Sequence, residues 1–299
     1  MRVGIYSHSA TSPTLEALGA GFVRAGHRVD TMNAEYYDRP AAYDLVAVLG
    51  MWNCAPIVRD YRARGTPVLV VELGYLRRAA REQAADDGGY HQVSLNALNA
   101  PPAFACPPDR FDALNLEIIE SPPKDGYVLI CGQVPDDKSH GMTRAECQAW
   151  TAGWLAKYPN AVFRPHPLRG YKLPEGTRID THKYIEESLA GARLVVTVNS
   201  TAGNAALLAG VPVIADGQAT YSDLSGEALP SLADRLAYFH RLAYGQWTRE
   251  EMRDGACVEF LIEHLLPNVG FPASSPAELE PAKAAPKRRG RKPRRSSLT

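Results

Sequence analysis

Long apolar runs are missing from this 299-residue chain: none approaches the roughly 20 consecutive apolar residues of a membrane span. The opening "MRVGIYSHSA" reads as a strand, not as a charged stretch leading into a long apolar one, so no targeting leader is expected. A cytoplasmic protein with no membrane partner is the expectation. Cysteine is scarce as well. Cys54, Cys106, Cys131, Cys147 and Cys257 form no CxxC and no His-paired metal spacing, which argues against a zinc site or a disulfide framework and for reduced, structural thiols. The chain also lacks GxxxxGK[ST], a GxGxxG after its first strand, and GxSxG. A P-loop kinase, a dinucleotide-binding first turn and a serine-hydrolase elbow are thereby disfavoured.

The formal net charge of zero hides a division. Eight of the 33 Lys and Arg residues fall between Lys283 and Arg295, leaving residues 1–272 with 25 basic against 31 acidic side chains, a net of about minus six. An acidic body therefore carries a basic tail. Residues 270–299 are rich in Pro, Ala, Ser and charge without apolar periodicity, and this composition predicts disorder.

In the body, apolar runs of strand length alternate with amphipathic segments of helix length. "RVGIYS" leads to "TLEALGAGFVRAG", "HRVDTM", "DLVAVLG", "PIVRDYRARG" and "PVLVVELG", with Gly closing the helices. After the Pro-rich "ESPPKDG" a second series runs through "YVLICGQ", "RAECQAWTAGWLAKY", "AVFRPHP", "YIEESLAGA", "RLVVTVNS", "AGNAALLAG" and "VPVIADG". The alternation predicts an α/β fold of two Rossmann-like units, residues 1–122 and 123–269, with ligands beyond the carboxyl ends of mostly parallel strands. Helices from "SLADRLAYFHRLA" to "TREEMRDGACVEFLIEHLL" are expected to close the second unit.

Three loops at strand ends of that second unit carry the polar groups. After "RLVVTV", Ser200 or Thr201 is expected to cap the next helix, Gly203 to let another group approach its first turn, and free N–H groups there to favour an anion such as phosphate. "FRPHPLRG" supplies Arg164, His166 and Arg169, the histidine held between Pro165 and Pro167 on an extended backbone. "GQVPDDKSH" supplies Gly132, Gln133, Asp136, Asp137, Lys138, Ser139 and His140. An ordinary capped helix and a surface histidine explain two of the pieces singly; their convergence points to a phosphate ligand set.

The set "GQVPDD.S", "RPHP" and "NSTAGNAALLAGVPV" resembles the carboxyl-terminal half of capsular polysaccharide synthesis proteins of the Kdo-transferase type and, more distantly, other GT-B glycosyltransferases. The resemblance covers about residues 127–217. It implies a GT-B-like fold, a nucleotide-sugar co-substrate (UDP- or CMP-linked) with no further cofactor, and contacts from His166, Ser200 and Thr201 to the donor's phosphate. Gly132, Gln133, Asp137, Ser139, Arg164 and Gly203 complete the expected donor site, residues 1–122 becoming the acceptor side. The first half shows no counterpart of that family's longer acceptor machinery.

Glycosyl transfer needs a base for the acceptor hydroxyl where stereochemistry inverts. His8, directly after the first strand, is the first candidate and Glu72, ending "VLVVELGY", the second. A helix-capping histidine and a carboxylate paired with Arg77 or Arg78 explain them equally. "ADDGGYH", with Asp86, Asp87 and His91, resembles an acidic-acidic-Gly motif of some bacterial sialyltransferases, and a surface loop explains it as well.

"KRRGRKPRR" resembles an AT-hook, in which Gly between arginines sits low in a narrow minor groove. Arg288, Arg289, Gly290, Arg291, Lys292 and Pro293 are the expected double-stranded DNA contacts, although Lys292 interrupts the usual Arg-Gly-Arg-Pro core. A solvated tail without a partner is the simpler alternative. An acidic body acting on DNA would need such a tether, so the sequence reading favours a bacteriophage-type transferase that glycosylates a hydroxymethylated pyrimidine in DNA. A surface or capsular polysaccharide transferase and a non-catalytic DNA-binding protein with a nucleotide-fold body are the alternatives.

Overall fold

The computed structural model describes residues 1–8, 12–80, 86–121, 125–137, 139–168 and 170–269. The expectations for Lys138, Arg169 and the whole 270–299 tail, with Arg288, Arg289, Gly290, Arg291, Lys292 and Pro293, lie outside the described residues.

The first series folds as β1 (Arg2–Ser7), α1 (Pro13–Arg24), β2 (Arg28–Asn33), β3 (Leu45–Leu49), α2 (Ala55–Ala63), β4 (Val68–Leu73), β5 (His91–Leu95) and the short α3 (Asp109–Asp112). The second contains β6 (Tyr127–Cys131), α4 (Arg144–Lys157), β7 (Val162–Arg164), β8 (Arg178–Ile179), α5 (Ile185–Leu189), β9 (Ala192–Thr197), α6 (Ala202–Leu208), β10 (Val213–Ala215) and α7 (Leu232–Tyr244). β11 (Gln246–Trp247), α8 (Arg249–Asp254) and α9 (Ala256–Phe260) follow. Local chemistry sets several boundaries: Ser12 accepts the Leu15 N–H ahead of Pro13 at the start of α1, and Thr143 and Glu146 form a reciprocal cap on α4.

Two sheets result. The first has the order β11-β5-β4-β3-β1-β2, parallel from β4 to β2 and antiparallel at β5 and β11. The second, β10-β9-β6-β7-β8, is parallel throughout. In each, strand order reverses beside the first strand of the unit, between β1 and β3 and between β6 and β9. Such switch points leave a crevice beyond the strand ends, where open α/β sheets bind ligands. The fold is thus α/β with two mainly parallel, Rossmann-like halves. Among the described residues no helix is long and apolar enough to cross a membrane.

The end of the chain corrects one expectation. α7 packs on the second sheet, where Tyr238, Phe239 and Leu242 are buried beside Val195 and Leu207. The segment from Gln246 onward crosses back instead: β11 pairs with β5, and Met252, Cys257, Val258 and Leu261 fill the core of the first sheet with Val3, Leu18 and Phe22. α1 admits this approach because Gly21 sits against the Met252 carbonyl, leaving no room for a Cβ. Arg110 secures the crossing, with its guanidinium 3.8 Å from the Trp247 ring centre and paired with Glu251 at 2.7 Å. Amphipathic spacing identifies the helices but does not say which sheet they cover.

Candidate functional site

The loops after β6, β7 and β9 meet the loop after β4 around one cavity of about 570 Å³, within the roughly 300–1,000 Å³ usual for small-molecule sites. Gly132, Arg164, His166, Ser200 and Thr201, all expected from the sequence, are on its wall. Tyr75, Leu76, Arg77 and Arg78 of the first half face them. Leu116, Ile185, Glu186, Ala205 and Leu208 make the rest mainly apolar, with one carboxylate.

His166 is half-buried, and its Nδ1 accepts the Leu168 N–H at 3.2 Å, which leaves Nε2 as the protonated nitrogen. Burial lowers its pKa below the usual value; Asp137 opposes the shift and Arg78 adds to it. The ring is therefore a neutral hydrogen-bond donor near pH 7, not the cation that a charge-assisted phosphate contact assumes.

Arg164 is committed within the chain. Its Nη1 pairs with Asp180 and donates to Ser188 Oγ at 2.8 Å and the His182 carbonyl at 3.1 Å, while Nη2 donates to the Lys183 carbonyl at 3.2 Å. Burial works against the Asp180 charge, yet hydrogen bonds from Ser188, Arg164 and His182 hold its pKa down at about 2. Arg164 braces the cavity from beneath.

The opening of α6 also departs from expectation. Thr201 occupies the capping position without a side-chain cap bond. Ser200 Oγ accepts the Ala202 N–H at 3.3 Å, the N–H groups of Gly203 and Asn204 bond the Ser200 and Thr201 carbonyls at 3.0 Å, and the Ser200 N–H bonds Thr197 Oγ1 at 3.2 Å. These donors, expected to be free for an anion, are consumed by the turn. Gly203 admits no ligand either: the Tyr221 ring occupies the space of its missing Cβ, and the Tyr221 hydroxyl donates to the Ser200 carbonyl at 2.6 Å. Gly132 makes similar room for Phe163, whose Cζ would lie 2.6 Å from an added Cβ.

Gln133, Asp137 and Ser139 build the frame and are not on the cavity wall. Gln133 Nε2 ties the Cys131 carbonyl to Thr197 Oγ1 across the switch point at 3.1 and 2.9 Å. Asp137 accepts the Ser139 N–H at 2.8 Å, and the Ser139 carbonyl and hydroxyl each accept from Asn199 Nδ2 at 3.2 Å. His8 and Glu72 likewise lie off this wall. His8 follows β1 at the other switch point with Nδ1 3.8 Å from Glu35, and Glu72 accepts the Leu73 N–H at 3.0 Å. Asp86 and Asp87 hold a turn through the N–H groups of Gly88, Gly89 and Ala80, and His91 is buried on β5.

Sequence reasoning missed three residues. Asn204 is 2% exposed and lines the cavity; its Oδ1 accepts the Tyr238 hydroxyl at 2.7 Å, and its Nδ2 has no partner. Whichever way the amide is set, one of its polar atoms is left buried without a partner. Arg77 and Arg78, which the sequence offers as partners of Glu72, are the others; adjacent arginines after a strand end are the signal that marks them.

No protein-family model matches this chain, and no curated protein matches it. Solved structures do. KpsC of Thermosulfurimonas dismutans, as a beta Kdo 2,4 transferase, is similar over 83% of this chain and 92% of that one, at 18% identity and a TM-score of 0.56. A KpsC beta Kdo 2,7 transferase from the same organism covers 86% and 99% at 13% identity, with a TM-score of 0.46. The shared feature is the fold: a GT-B-like arrangement akin to KpsC transferases.

Proposed function

We propose that this chain transfers a glycosyl group from a nucleotide-sugar donor, UDP- or CMP-linked, to a hydroxyl acceptor. One observation carries the reading: the His166 imidazole, Ser200 and Thr201 meet on the wall of a nucleotide-sized cavity at the switch point of a parallel sheet. The second half would hold the donor, and the first, with its returning C-terminal helices, would face the acceptor. His8 and Glu72 remain the candidate bases of that side.

The acceptor is read as a saccharide hydroxyl of a surface polysaccharide, a reading supported by the likeness to a Kdo transferase. The eight cations between Lys283 and Arg295 favour a second reading, transfer to hydroxymethylated DNA held by the tail.

Incubating the full chain with UDP- or CMP-linked sugars and either an oligosaccharide primer or hydroxymethylated duplex DNA tests both readings. Nucleotide release with a matching mass gain on the primer supports the first; gain on the duplex alone supports the second. Binding of nucleotide with no transfer to any hydroxyl acceptor would overturn both.

A further inference from the structure

The cavity's second-half wall is poor in available charge. Arg164 is spent on Asp180 and its neighbours, His166 is neutral near pH 7, and four N–H groups around the start of α6 are bonded internally. Glu186 adds a negative charge to the wall. Among the described residues, the cavity cations not committed in this way are Arg77 and Arg78 on the opposite wall. Arg78 is within the electrostatic influence of Glu72 but makes no side-chain hydrogen bond among the described residues, and the Arg77 guanidinium donates once, to the Asn115 carbonyl at 3.5 Å.

The loop presenting them is pinned from both sides. The N–H groups of Tyr75 and Leu76 donate to Gln246 Oε1 at 2.9 Å each, so the returning β11 holds the loop. The Tyr90 carbonyl accepts from Gly74 and Ala79 at 2.9 and 3.1 Å, and the Tyr90 N–H donates to the Arg77 carbonyl at 3.0 Å. Tyr75 and Leu76 are buried in the core of the second sheet. Arg77 adopts φ 46°, a left-handed conformation that costs a non-glycine residue energy and that these bonds hold in place. The backbone that carries the two arginines is thus held on the wall opposite His166 and Ser200.

We propose that Arg78, with Arg77 beside it, is the counter-charge for the donor's phosphate, so that the donor lies between cations of the acceptor-side half and neutral hydrogen-bond donors of the donor-side half. The inference rests on the donor reading above and names the groups that bind and discharge the leaving group. In the transfer the bond between anomeric carbon and phosphate oxygen breaks with its electron pair left on the phosphate. The acceptor oxygen forms the new bond to that carbon, and its proton passes to Glu72, His8 or water. Arg78 would stabilise the charge that gathers on the departing phosphate. Guanidinium matches phosphate through paired, charge-assisted bonds that lysine cannot reproduce.

Titrations of UDP, CMP, inorganic pyrophosphate and the free nucleosides into wild type, Arg78→Ala, Arg78→Lys and Ser200→Ala provide the test. Arg78→Ala is expected to weaken the nucleotide that wild type binds, and pyrophosphate, tenfold or more, with nucleoside affinity and melting temperature unchanged; Arg78→Lys falls between. Equal nucleotide affinity in Arg78→Ala and wild type, with Ser200→Ala weakened, would overturn the role of Arg78 and leave the donor reading standing. Wild type binding neither nucleotide nor pyrophosphate would overturn both.

Discussion

The Arg164 guanidinium and the Asp180 carboxylate form an ion pair whose acidic member is 2% exposed, with Ser188 Oγ accepting from the first and donating to the second. Arg164→Ala should therefore destabilise the fold by about 3 kcal/mol, because it strands a buried charge. Chemical denaturation measures it. The acid limb carries the same signature. Asp180 titrates at about 2 when folded, against an ordinary value of 3.8, so its stabilisation is complete above about pH 4 and is lost as pH falls through about 2. The difference in stability between wild type and Arg164→Ala should narrow over that window.

His166 offers a different pH dependence. Its pKa lies below the usual 6.5, so a bound anion would favour its protonation, and nucleotide affinity should gain as pH falls below 6.5 in wild type relative to His166→Ala. Near pH 7 the substitution should cost about threefold to tenfold in affinity, the worth of a neutral hydrogen bond. Calorimetry across pH 5.5–8 on both proteins checks this.

Gly203→Ala should cost about 1–3 kcal/mol by overpacking against Tyr221, whereas Tyr221→Phe, which keeps the ring and removes the hydroxyl with its bonds to Ser200 and Thr197, should cost about 1–2 kcal/mol. Melting curves of the two variants distinguish a packing glycine from one that admits a ligand. Equal stability of Gly203→Ala and wild type would reverse the assignment.

Met252→Ala should lower stability by about 2–5 kcal/mol, as expected for a fully buried side chain between α1 and α8. Hydrogen exchange should show the loss in β1 and α1, far away in sequence, if the returning helices complete the first sheet.

Much of the fold was legible because β1, β3, β4, β6 and β9 are apolar runs closed by turn residues, a local signal. β5, with the mixed run "HQVSL", and the two-residue β11 were not legible, since only pairing with distant strands makes them strands. The site divides the same way. Strand-end position placed Gly132, His166, Ser200 and Thr201 on the cavity from sequence alone. The neutralisation of Arg164 depended on Asp180, 16 residues away in a loop without periodicity, and the orphaned Asn204 amide on Tyr238, 34 residues away. Such partners are set by tertiary packing, and no spacing rule reports them.

The most direct measurement is a calorimetric titration of uridine and cytidine mono- and diphosphates into the full chain and into a His166→Ala, Ser200→Ala double variant. The expected result is one nucleotide bound per chain, weakened at least tenfold in the variant, which should still unfold cooperatively, with a melting temperature lowered only by the loss of the Ser200 and His166 bonds to the Ala202 and Leu168 N–H groups. Absence of heat with every nucleotide, or equal affinity in both proteins, would contradict a donor site in this cavity.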